Sequence, residues 1–326
     1  MNTIISDYLS NLKFGELQKF KNMAVIPLLT SLNHIPKYIA LKEALEKRLI
    51  TVTEVSRSGS VPTLKVKNKA EIPVLLLAGE ELVGAKQNRI LNTTILLKKH
   101  SETIIPVSCT EVGRWSYVSR EFNDSDVIVS PKLRRLNVVS VADSLQHSGR
   151  FESDQGAVWG EIHEISTKAR VQSPTGAMKD VFVHRENDLN DYLDAFTYVP
   201  QQEGLFVFIS GKAVGFDFIS LESAYEKVHL KLVKSYAMDA LLQSRKIVGK
   251  PSIDKAKDFI KETLTCKEKK YKSVGHGWDY RFIADTVVGS ALVYRKKAIH
   301  MAFFRTTKNS NVGKMPGYKR RRDFIR

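Results

Sequence analysis

The stretch Leu75–Leu97, LLLAGEELVGAKQNRILNTTILL, sets two leucine- and isoleucine-rich runs on either side of Glu80, Glu81, Lys86, Gln87, Asn88, Arg89 and Asn92. The apolar runs have the composition of short strands. Between them stands more charge and amide than a core strand carries. "LAGEELVGA" reads as a strand, a polar turn at Gly79, Glu80 and Glu81, and a second strand. The same outline returns in "ISGKAVGFD" and, without glycine, in "VYRKKAIHMAF", so three similar hairpins are expected. "AKQNR" then falls in a strand whose alternation points Lys86 and Asn88 one way, Gln87 and Arg89 the other. A strand polar on both faces belongs at a rim or a cleft, and a charged edge that discourages sheet pairing gives the same pattern.

Moving outward, "MAVIPLL", "ITVTEV", "TLKVKN", "IPVLLLA", "ILNTTILL" and "IIPVSCTEV" are short apolar or β-branched runs between Gly, Ser, Asn or Pro, the pattern of neighbouring strands. "SDYLSNLKFGEL" and the amphipathic "PKYIALKEALEKRLI" predict helices near the start. The middle turns helical through "VVSVADSLQHSG", "DQGAVWGEIHEISTKARV" with Ser153 or Asp154 as N-cap, and "LNDYLDAFTYV". "GLFVFISGKAVGFDFIS" predicts a hairpin. "LESAYEKVHLKLVKSYAMDALLQSRKI" predicts a long helix packing on a sheet through Leu230, Val233, Ala237, Ala240 and Leu241. The expected fold is α+β, a mixed, largely antiparallel sheet with packed helices. Residues 1–306 form one globular domain with a lobe division near 130, and 307–326 form a flexible basic tail.

The chain of 326 residues is 43% apolar and 26% charged, the composition of a soluble globular protein. No apolar run approaches the roughly 20 residues of a membrane helix. The start has acid and amide where a signal peptide has a basic then apolar segment, so a cytoplasmic protein without a membrane partner is expected. Cys109 and Cys266 are the only thiols, which excludes a disulfide framework and a zinc set. From Arg295 onward eleven Lys or Arg face one acid, Asp323, so ten of the sixteen net positive charges are C-terminal. A tail so basic favours a nucleic acid or an acidic protein through counterion release, or simply keeps the chain soluble.

Three clusters carry groups suited to chemistry. In the first, Lys86 and Arg89 offer charge to phosphate or carboxylate, Gln87, Asn88 and Asn92 can hydrogen-bond a base or ribose, and Glu80 or Glu81 can act as a base. The second, "IPVSCTEVGRWSY", brings Glu111, Arg114 and Trp115 beside Cys109, which fits a small buried residue better than a nucleophile. The third, "FESDQGAVWGEIHEI", holds Ser153, Asp154 and Gln155. Its His163 lacks a second His at metal spacing and fits solvated helix surface, so no metal is assigned. No Walker loop, G-x-S-x-G elbow or G-x-G-x-x-G is present, and no cofactor is named by any motif.

"GEELVGAKQNRILNTTILL", "IPVSCTEVGRWSY", "SDQGAVW", "SPTGAM" and "VVGSALVYRKKAIHMAFF" together resemble the family of ADP-ribosylglycohydrolase- and rhodanese-phosphatase-associated proteins, from about Met1 to about Arg305. The resemblance implies a ligand site in the first cluster and a setting among enzymes that handle ADP-ribose and phosphate, with no established reaction. The resulting expectation is a polar cleft that binds an ADP-ribose-like or other nucleotide phosphate. Lys86, Gln87, Asn88, Arg89, Asn92, Arg114, Trp115, Ser153, Asp154 and Gln155 would contact the ligand, and Glu80, Glu81 or Glu111 would activate water if it is hydrolysed. The rival expectation is a non-catalytic nucleic-acid-associated protein using a basic surface and tail. Asp154, Gln155, Arg89 and Glu111 are expected around one pocket, with the helix N-terminus at Asp154 adding an anion site beside Lys86 and Arg89 and with Cys109 buried without a His partner.

Overall fold

The computed structural model describes residues 1–32, 36–243 and 248–306, and the expected tail lies outside the described residues. Within them are eight helices and eighteen strands, an α+β architecture whose strand pairs are antiparallel with one exception. A nine-stranded sheet runs in the order Lys13–Phe14, Met23–Leu29, Gly204–Ile209, Lys212–Ile219, Lys297–Arg305, Val287–Tyr294, Trp278–Ile283, Lys267–Lys272, with Gln18–Phe20 also paired to Met23–Leu29. Six further strands close a barrel: Ser101–Cys109, Thr63–Asn68, Ile50–Glu54, Phe122–Ile128, Glu80–Gly84 and Arg89–Leu91. Between barrel and sheet lies a three-stranded piece in which Val74–Leu76 pairs antiparallel with Ile95–Leu97 and parallel with Ile39–Ala40. The last barrel strand ends at Ile128, but the early strands at residues 13–29 join the large sheet, so the two lobes interleave in sequence.

Both faces of the large sheet are covered. The helices Pro131–Ser148, Gln155–Ala169 and Glu222–Leu242 bury one face around Val207, Ile219, Leu232 and Tyr236. Thr3–Ser10 and Ile253–Thr263 bury the other around Phe206, Phe216 and Phe303. The barrel has its own interior of Val52, Leu64, Val66, Leu82, Leu91 and Val107. Local signals fix the helix ends. Ser130 accepts from Leu133 N with Pro131 in the first turn, and Asp154 accepts from Ala157 N, since a short oxygen side chain satisfies N–H groups the first turn leaves free.

Four expectations need correction. "LAGEELVGA" is no hairpin: Val74–Leu76 and Glu80–Gly84 belong to different sheets, and Gly79, with φ +87°, carries the chain from one to the other. Glu80 and Glu81 therefore lie in a strand. "AKQNR" starts as a turn, with Ala85 at φ +38°, and Gln87, Asn88 and Arg89 are all buried instead of alternating between faces. The helix in "PKYIALKEALEKRLI" is only Leu41–Glu46, because Ile39–Ala40 pairs with Val74–Leu75. Leu230 is 52% exposed, and the long helix packs instead through Tyr225, Val228, Leu232 and Tyr236 as well as Val233, Ala237 and Ala240.

Candidate functional site

One end of the barrel gathers most of the polar residues singled out above. Ile50 and Val52 point into the barrel, so alternation points Glu54 inward as well; Leu91 does the same for Arg89, and Ile105 and Val107 for Cys109. Arg89 stands opposite Cys109 across the strand pair. Gln87 Oε1 accepts both from Arg89 Nη1 at 3.1 Å and from the Cys109 thiol at 3.1 Å. Gln87 Nε2 donates to the Glu111 carbonyl at 2.6 Å, anchoring the amide that holds the guanidinium.

The far edge of Arg89 is different. Arg89 is fully buried, yet its Nε and Nη2 donors have no partner, and neither carboxylate oxygen of buried Glu54 has one. Burial pulls the Arg89 guanidinium below its ordinary pKa, while Cys109 and Glu54 act in the opposite direction. Leaving so many buried charged donors and acceptors unmatched is costly, so the arrangement is one that a ligand or water with complementary groups would stabilise. Trp115, 46% exposed, lies over this end with its ring 5.6 Å from Arg89 Cζ. Lys86 Nζ sits 5.2 Å from both the Trp115 and Tyr117 rings and donates to Ser58 O. At Gly59, φ +78°, a Cβ would meet Lys86 Cδ at 3.1 Å, Glu54 Oε2 at 3.3 Å and Trp115 Cζ2 at 3.3 Å, so these groups close round a glycine.

The remaining candidates are tied into the protein. Arg114 donates to both Glu111 oxygens, to Ala85 O, Ser116 O and Asn88 Oδ1, stapling the segment that carries Trp115. Burial pushes the Glu111 carboxyl up, but hydrogen bonds from Arg114, Thr175 and Asn88 N outweigh it and hold it below the ordinary carboxylate value. Glu80 accepts from Lys231 and from Leu77 N, and Glu81 accepts from Thr110 at 2.7 Å, with burial pushing its pKa up to about 7. Asn92 joins Ser108 to Phe151 O.

The third cluster meets the other two at a strand edge. The Gln155 amide exchanges hydrogen bonds with both the N–H and the C=O of Cys109, at 2.7 and 2.9 Å. Asp154 caps its own helix with a carboxylate, which replaces the anion expected at that N-terminus with the protein's own negative charge. Ser153 Oγ has no partner. Cys109 is buried, and His163 is exposed. Glu54 was not singled out from sequence, although the alternation Ile50, Val52, Glu54 places a carboxylate on an apolar interior face and is a legible signal.

A cavity of about 360 Å³ lies elsewhere, at the start of Pro131–Ser148, and includes Lys132, Glu161, Asp239 and Arg305 but none of the residues singled out above. Its Lys132 is paired with Glu161 and Glu164, and its Arg305 with Glu262. No helix among the described residues is long and apolar enough to cross a membrane. Residues 11–304 match the profile of a family described as the ARG and Rhodanese-Phosphatase-superfamily-associated Protein domain. Neither a curated protein nor a solved structure matches the chain.

Proposed function

The chain belongs to the family of ARG- and rhodanese-phosphatase-superfamily-associated proteins, and from that membership we propose that it binds a nucleotide-like phosphate, such as ADP-ribose, at the Arg89 end of the barrel. The observation that carries this reading is the Nε/Nη2 edge of Arg89, buried and without a partner while Nη1 is fixed by Gln87. That edge presents two parallel N–H donors, the geometry a phosphate or carboxylate takes bidentately. Glu54 accepts from a ribose hydroxyl or a base N–H, and Trp115 with Tyr117 supplies the apolar surface a flat heterocycle needs. Entry requires the Trp115 side chain to swing away from Arg89, while Arg114 keeps the backbone beneath it fixed. The family description records an association with ARG and rhodanese-phosphatase proteins, and ADP-ribose as the ligand is our reading of that association.

For hydrolysis, Glu54 is the carboxylate placed to take a proton from water, while Glu80 and Glu111 are held by Lys231 and Arg114; Glu81, tied to Thr110 through Oε1 with Oε2 free, is the second candidate. Calorimetry with ADP-ribose, NAD, AMP and inorganic phosphate tests binding. Arg89→Lys keeps the charge but removes the fork, and the affinity is expected to fall about 10- to 100-fold, the worth of one or two charge-assisted hydrogen bonds. Trp115→Ala, at an exposed position, is expected to weaken the nucleotides more than inorganic phosphate. Binding by none of the four, or affinities unaltered in both variants, contradicts the reading. Product release by the wild-type chain that stops in Glu54→Gln would add catalysis to binding.

A further inference from the structure

At the opposite edge of the large sheet, three chain segments bring cations together near the exposed ring of Trp278 and the half-buried rings of Tyr294 and His276. The edge strand Lys267–Lys272, KEKKYK, has Lys267, Lys269, Lys270 and Lys272 exposed. Its register sets Lys272 opposite Trp278, and Trp278 opposite Val293. The hairpin turn after Lys272 and the turn at Arg295 and Lys296 therefore lie at the same end of the sheet. Lys98 and Lys99 reach that end from the three-stranded piece, because His276 N donates to Leu96 O at 2.7 Å. His276 stacks on Tyr294 with ring centres 4.5 Å apart, and Arg295 lies 5.2 Å from the Tyr294 ring. Burial lowers the His276 pKa, and Lys98 and Arg295 lower it further, a sign of the positive potential there.

The acids nearby form no ion pair with these cations. Asp279 is paired with Arg281 at 2.6 Å and Glu71 lies 2.8 Å from His100, while Glu268 accepts from Asn2 N at 2.6 Å and keeps its charge on the strand. Among the described residues, Lys98, Lys99, Lys270, Lys272, Arg295 and Lys296 take part in no ion pair. Lysines on an edge strand also discourage sheet-to-sheet pairing, which accounts for the strand itself. It does not account for Lys98, Lys99, Arg295 and Lys296 on neighbouring loops, nor for Trp278, 43% exposed with Lys270 Nζ 4.2 Å and Lys272 Nζ 5.9 Å from its ring.

We propose that this end of the sheet binds single-stranded nucleic acid, which stacks a base on Trp278 between Lys270 and Lys272 on one face and passes round the sheet end to Arg295, Lys296 and Lys98 beside the Tyr294–His276 pair on the other. Unpaired cations attract the backbone through counterion release, and rings standing among them give bases a face on which to stack. A duplex keeps its bases inside and cannot use the rings. The surface is made of described residues only: the strand Lys297–Arg305 starts at this end and finishes at the other, where Arg305 pairs with Val287.

Fluorescence anisotropy with a labelled single strand of about 12 nucleotides, read from low to moderate salt, tests the proposal in the full-length chain. Trp278→Ala is expected to weaken binding about ten-fold with little change in salt slope. Lys270→Ala with Lys272→Ala is expected to flatten the log–log salt slope by about 1.4, or 0.7 for each phosphate that is no longer neutralised. Neutralising Arg320, Arg321 and Arg322 as serines serves as the tail control and is expected to leave the Trp278→Ala effect intact. Circular dichroism checks that each variant keeps the fold of the wild-type chain. The proposal is overturned if the strand does not bind at low salt, if Trp278→Ala has no effect, if a duplex binds as tightly, or if polyglutamate competes as well as a second single strand.

Discussion

Asp217→Ala is expected to destabilise the protein by about 3–5 kcal/mol, measured by urea unfolding, with the midpoint lowered and the slope unchanged. Asp217 is fully buried on the strand Lys212–Ile219 and accepts from Arg134 in a two-point pair, from Tyr236 at 2.9 Å, and lies 3.4 Å from His300 Nε2. His300 continues to Thr94 at 2.9 Å, so one carboxylate ties the first covering helix, the long helix and two sheets. Removing it leaves the Arg134 guanidinium, 3% exposed, without its counter-charge. Burial pushes the Asp217 carboxyl up, but Arg134 and His300 outweigh it, and the pKa lies well below the usual carboxylate range. A depressed folded pKa gives stability that is present above the unfolded value of about 4 and lost as pH falls below it. The wild-type chain is therefore expected to lose stability steeply on the acid side of pH 4, and Asp217→Asn to start lower and fall less.

Lys231→Met is expected to cost a similar 3–5 kcal/mol, for the converse reason. Lys231 lies on the helix Glu222–Leu242 yet is 2% exposed, with its ammonium 2.7 Å from Glu80 and 2.8 Å from Asp124 of the barrel wall. The barrel strand shifts register between Asp124 and Ile128, with Asp126 at φ 62°, and this bulge belongs to the segment that presents Asp124 to the ammonium. Burial pulls the Lys231 pKa down, but Glu80 and Asp124 outweigh it and keep it charged. Methionine fills the volume but leaves Glu80 in an apolar junction with no cation. Adding Glu80→Leu is expected to recover much of the loss, because Asp124 retains some access to water. A double variant as unstable as the single one would show that Glu80 does more than balance Lys231.

Where neighbouring residues decided the structure, the sequence could be read. The hairpin at Gly204–Ile219 has an apolar run, a Gly-Lys pair and a second run, and Asp154 precedes its helix as a short oxygen cap should. Distant partners hid the rest. "FNDSDVI" is polar enough to pass for a loop, but it closes the barrel by pairing with Gly84 and Val52 on either side. "KEKKYK" lacks an apolar face and is a strand because the strand from Trp278 pairs along it. Within the candidate site, the charge and amide of "AKQNR" marked the right segment. Which groups are tied up depended on Glu111, Arg114 and Gln155 arriving from elsewhere in the chain. The alternation Ile50, Val52, Glu54 puts Glu54 on the apolar face of its strand, and that this face closes into a barrel depends on Leu64 and Leu91 arriving from other strands.

An anion that fills the free edge of Arg89 changes the hydrogen bonding of its Nε, and the Nε–Hε resonances of the arginines in nitrogen-15-labelled protein report on it directly. The Arg89 signal is assigned as the one missing from Arg89→Lys, and ADP-ribose or inorganic phosphate is then titrated in. A saturable downfield shift of that signal, larger than that of Arg114, whose Nε already donates to Glu111 at 2.9 Å, is the predicted result. An Arg89 signal that stays still while other resonances move, or a spectrum that does not change at all, would contradict the account.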